Sequence, residues 1–64
     1  MNDNLVENFQ VLKTLIESLQ VDVVKNASGN KSAGVRARRG LRLLKSKSAD
    51  LVKTTISEEK SRKV

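Results

Sequence analysis

The sequence contains no cysteine, no histidine and no proline, and Phe9 is its single aromatic residue. Each absence excludes something. Without Cys there is no disulfide and no thiolate zinc site, and without His there is no imidazole ligand. The usual general bases and sulfur nucleophiles are missing, and no serine has an evident partner base. Glu58 and Glu59 are adjacent, so on a helix they point to different sides and form no acid–base pair. No catalytic set, cofactor or metal site is expected, and therefore no enzyme acting on a small molecule. The near-absence of aromatics argues against recognition of single strands by base stacking. There is no basic leader followed by an apolar run, and no apolar run as long as a membrane span, so neither a signal peptide nor a membrane partner is expected. Finally, 64 residues without disulfide or metal bury a small core, so self-association is the expected source of further burial.

What the sequence does have is basic charge, unevenly placed. The chain carries a net charge of +6. Residues 1–25 hold two lysines against four acids, a net −2, whereas residues 26–64 hold eleven Lys or Arg against three acids, a net +8. Asymmetry of this size points to an anionic partner for the second half.

The first half has helical periodicity. Leu5, Phe9, Leu12, Ile16, Leu19 and Val23 are spaced four and three residues apart in alternation, placing six apolar side chains on one seam at heptad spacing. Asn2 or Asp3 suits the cap at its start. The segment "NASGNK" breaks the pattern. Gly29 suits the left-handed position that ends a helix, and Asn30 suits the cap of the next, accepting from the amide of Ser32 or Ala33. A connection this short makes antiparallel neighbours. The fold class expected is all-α: a single helical-hairpin domain over 1–64, with a helix at about 3–27, a turn at about 28–30, a helix at about 31–57 and a polar tail at about 58–64. Two such hairpins would associate most simply as a dimeric four-helix bundle, with Leu5, Phe9, Leu12, Ile16, Leu19, Leu41, Leu44 and Leu51 as its oligomer core.

The second helix divides into two faces. Ala33, Ala37, Leu41, Leu44, Ser48, Leu51, Val52 and Thr55 share one side at 100° per residue. Lys31, Arg38, Arg39, Arg42, Lys45 and Lys53 take the other, with Arg36 and Lys47 on one flank. Between Lys31 and Lys47 no acid interrupts the run. A merely solvated helix would interleave Glu with Lys to gain pairs three or four residues apart. The planar fork of Arg also suits phosphate oxygens. These eight residues are the candidate DNA-binding set. Duplex DNA fits them best, because a rigid basic stripe matches a phosphate backbone and few Asn or Gln lie among them to read bases. Docking to an acidic protein, or to structured RNA, is the alternative. Near the start of this helix, Ala33, Gly34, Ala37 and Gly40 would let a neighbouring backbone come close. A mildly weakened helix with no special role for Gly40 is the other reading.

The stretch "GNKSAGVRARRGLRLLK" resembles the hairpin region of the bacterial histone H1-like Hc1 family. Members have a leading helix, a turn close to G-N-K-x-A-G-x-R-x-R and a basic second helix. Gly29, Asn30, Lys31, Ala33, Gly34, Arg36, Arg38 and Arg39 carry the likeness. The resemblance implies a nucleoid-associated protein that binds double-stranded DNA with little sequence preference and compacts or bridges it. It implies a place in the cytoplasmic nucleoid, or in a virion if the source is viral. The long Lys/Ala/Pro-rich tail of chlamydial members is not in this sequence, so a short form that works through the hairpin is expected.

Overall fold

The computed structural model describes residues 3–62, with side chains from Asn4 to Ser61. Two helices make up the described chain: α1, Asp3–Ala27, and α2, Lys31–Arg62. They pack side by side and antiparallel as a flat rod of 54 × 16 × 11 Å. The cap expected from Asn2 or the Asp3 side chain, and residues 63–64 of the expected tail, lie outside the described residues.

The connection between the helices is made by backbone chemistry. Gly29 has φ of 105°, a conformation an L side chain resists. With Gly29 left-handed, its amide donates to the Asn26 carbonyl at 2.9 Å, and the Asn30 amide donates to the Lys25 carbonyl at 3.0 Å. This pair of bonds satisfies carbonyls that a helix end would otherwise leave open. Asn30 then opens α2: its Oδ1 accepts from the Ala33 amide at 2.9 Å, and its carbonyl accepts from the Gly34 amide at 3.3 Å. The Asn26 side-chain amide donates to the same Asn30 carbonyl at 3.2 Å.

The contact between the helices depends on small residues near the turn and leucines farther out. Ala33 and Ala37 are buried in α2, and Leu12 and Leu19 in α1. Leu44 and Leu51 of α2 and Leu5 and Leu15 of α1 are half-buried. A Cβ at Gly34 would run into the Asn26 side chain, and one at Gly40 would run into the Leu19 methyl groups. Both glycines therefore mark close approach between the helices, so Gly40 is not simply a weak point in α2.

Two features depart from the sequence expectation. First, the heptad seam of α1 is split. Leu5, Leu12 and Leu19, seven apart, turn towards α2, while Phe9, Ile16 and Val23, also seven apart, stay 56%, 52% and 46% exposed. One neighbouring helix covers only about half of a broad apolar stripe. Second, α2 does not give way to a polar tail at 58 but remains helical to Arg62. Ser, Glu and Lys tolerate a helix interior, and no Gly or Pro intervenes after Gly40. At 32 residues against 25, α2 is longer than α1 by about 10 Å.

Candidate nucleic-acid interface

The basic residues of α2 are placed by the same periodicity that buries its alanines and leucines. With Leu44 facing α1, the side chains of Lys31, Arg38, Arg42, Lys45 and Lys53 fall within an arc of about 80° on the outer side. Arg39 borders that arc. All six are exposed. From Lys31 to Lys53 the stripe runs about 33 Å, close to the length of one turn of duplex DNA. It is nearly straight, because Lys31, Arg38 and Lys45 are seven residues apart and Arg42 lies between them.

The other two members of the expected set stand elsewhere. Arg36 turns towards α1, where its Nε donates to Asp22 Oδ1 at 3.0 Å. It is the one salt bridge among the described residues. Lys47 is half-buried and lines a groove between the helices with Val11, Leu12, Asp50 and Leu51. Both therefore belong to the joint between the helices rather than to the outer stripe. Sequence reasoning missed Lys60, which it assigned to the tail. Because α2 stays helical, Lys60 follows Lys53 by seven residues, falls on the same arc and is exposed. The seven-residue step from Lys53, with no breaker between, was the signal.

The chemistry of this surface is that of a phosphate-binding ridge. No acid lies on the arc between Lys31 and Lys53; Asp50, the acid of that stretch, falls about 60° beyond Lys53 on the flank that Arg39 also borders, and lines the groove with Lys47. Taken whole, α2 holds ten Lys or Arg against three acids, while α1 holds two against four. The rod is thus basic along one edge and mildly acidic along the other. Among the described residues no cluster of His, Cys, Asp or Glu could hold a metal ion, and no helix is long and apolar enough to cross a membrane.

A family model described as histone H1-like protein Hc1 matches residues 6–61, from the first turns of α1 almost to the end of α2. No curated protein and no solved structure matches the chain. The matching family is one of structural, DNA-binding proteins of the nucleoid, which agrees with a helical hairpin that concentrates positive charge on an outer edge. With all but a few residues at either end inside the match, the chain belongs to the histone H1-like Hc1 family.

Proposed function

We propose that this protein binds duplex DNA through the outer stripe of α2, with little sequence preference, and compacts or bridges it in the nucleoid. The chain acts as one helical-hairpin domain, and two hairpins join as a dimeric four-helix bundle. The observation that carries the reading is the straight, acid-free arc of Lys31, Arg38, Arg42, Lys45 and Lys53, bordered by Arg39. Affinity comes from release of counterions as these side chains neutralise phosphates. Specificity is low because Arg and Lys on a straight ridge meet backbone oxygens, and the arc offers no Asn or Gln to read base edges. Leu5, Leu12, Leu19, Leu44 and Leu51 hold each hairpin together, and Phe9, Ile16 and Leu41 are left for the second copy.

The test is an electrophoretic shift series with unrelated duplexes across salt concentration. If a dimer neutralises about six phosphates, log K should fall against log[salt] with a slope near −5, equal for all sequences. Replacing Arg38, Arg39 and Arg42 together by Gln should flatten the slope without loss of helicity, since all three lie away from α1. Equal binding and slope in the triple variant would refute the assignment. Tight binding to an acidic polypeptide or to structured RNA, without duplex DNA binding, would favour the alternative partners instead.

A further inference from the structure

The two broad sides of the hairpin are not alike. One carries the Asp22–Arg36 ion pair, Lys47 and Asp50, which break up an apolar groove lined by Val11, Leu15 and Leu43. The other carries Phe9, Ile16, Val23, Val24, Leu41 and Val52, all between 46% and 57% exposed. Ile16, Val23, Val24 and Leu41 line a single continuous groove there. The exposed residues 9, 16 and 23 repeat at the heptad step of 5, 12 and 19, which already pack against a helix. This side is therefore suited to another amphipathic helix pair of the same spacing: a second copy.

A two-fold pairing of this side has two forms. With the axis across the helices, each α2 lies on the partner's α2. With the axis along the helices, each α2 lies on the partner's α1, and the two α2 helices occupy opposite corners of the bundle. The charges choose between them. Two α2 helices of net +7 would stand one interaxial spacing apart in the first form, about 8–10 Å. In the second form each α2 neighbours helices of net −2, and the like-charged pair retreats to the diagonal. Arg38 and Lys45 sit at the rim of the paired side, so they feel the difference most. Repulsion at these separations lies within or near a Debye length and is only partly screened.

We propose that the second copy docks on the Phe9/Ile16/Leu41 side with the two-fold axis along the helices, so that the two basic stripes face opposite directions and one dimer joins two duplexes. This inference rests on the DNA-binding reading above. It makes bridging, rather than coating of one duplex, the consequence of the assembly.

Because the chain has no cysteine, one introduced thiol reports on the arrangement. Ser46→Cys lies near the middle of α2 on its exposed outer face and serves for spin labelling. The diagonal arrangement places the two labels more than about 20 Å apart, whereas α2 against α2 brings them to about 10–13 Å. In parallel, full-length protein is added to bead-tethered duplex, and retention of the protein and of a second, labelled duplex are measured separately. The long distance together with capture of the second duplex is the expected result. A short distance, or a monomer at concentrations where Phe9→Asp behaves as the parent does, overturns the docking geometry. Protein retained without the second duplex overturns bridging and leaves DNA binding standing. Failure of the protein itself to be retained refutes the DNA-binding reading and the bridging inference with it.

Discussion

Replacing Gly40 by Ala sets two effects of known sign against each other. Gly40 lies inside α2, where Ala is favoured by about 1 kcal/mol through helix propensity alone. The new Cβ, however, would run into the methyl groups of Leu19, a side chain only 6% exposed and part of the small core. Leu19 cannot swing aside without leaving that core. Forcing an extra methyl into a packed contact costs about 1–3 kcal/mol. Steric cost should therefore cancel or exceed the propensity gain, for a net loss of up to about 2 kcal/mol. For a chain of this size each kcal/mol corresponds to about 4–8 °C in Tm. The sharper readout is the coupling. In a Leu19→Val background the methyl that blocks position 40 is gone while a Cγ remains near 3.1 Å, and Gly40→Ala should then recover part of its propensity gain. The two substitutions should be non-additive by about 1 kcal/mol or more. The assay is thermal or urea unfolding followed by circular dichroism. All four proteins must be compared at one concentration, because association shifts Tm by mass action. If Gly40→Ala raised Tm by the same increment in both backgrounds, the close approach of Leu19 to the α2 backbone would be disproved.

The turn and the ion pair give further expectations. Gly29→Val should cost about 1 kcal/mol or more; since nothing lies within 4 Å of its Cβ position, the loss would come from φ of 105° alone, and an unchanged melt would refute it. Asn30→Ala should cost about 1 kcal/mol as a lost cap, with Asn30→Ser recovering most of it in the same melts. Arg36→Gln should cost under about 1 kcal/mol, because the pair is half-exposed on the Arg side, and should leave the DNA salt slope nearly unchanged. A slope flattened as much by Arg36→Gln as by Arg42→Gln would place Arg36 on the DNA stripe after all.

Much of the hairpin was legible because its signals are local. The seam of α1 shows in the four-and-three spacing, and the break shows where a Gly and an Asn stand side by side, each suited to one of two adjoining caps. What was not legible depends on distance across the fold. Spacing shows that Phe9 and Leu12 share a broad stripe, but not that a single neighbour covers Leu12 and leaves Phe9 bare. Arg36 reads as one more cation in a basic run, and only the juxtaposition with Asp22, fourteen residues earlier, removes it from the outer stripe. The end of α2 is hidden for a different reason. The apolar pattern stops before 58, and a polar stretch carries no periodicity that marks it as helix. The backbone needs only the absence of a breaker, and so Lys60 joins the stripe.

The connection at Ser28–Asn30 also bears on how the chain is destroyed. Thirteen Lys and Arg residues make it rich in sites for a trypsin-like protease, and Lys25 and Lys31 flank the turn. Loop tips are where such enzymes usually nick first. Here there is no slack to offer them: the Lys25 carbonyl accepts from the amides of Ser28 and Asn30, and Lys31 is already the first residue of α2. To present either bond in extended form the chain must unwind a helix end and, with it, the contact at Ala33 and Ala37. Cleavage then follows the population of opened chains, not the exposure of any one site. Anything that holds the two helices together, such as a second hairpin seated across both, should therefore protect every Lys and Arg bond of the packed rod at once.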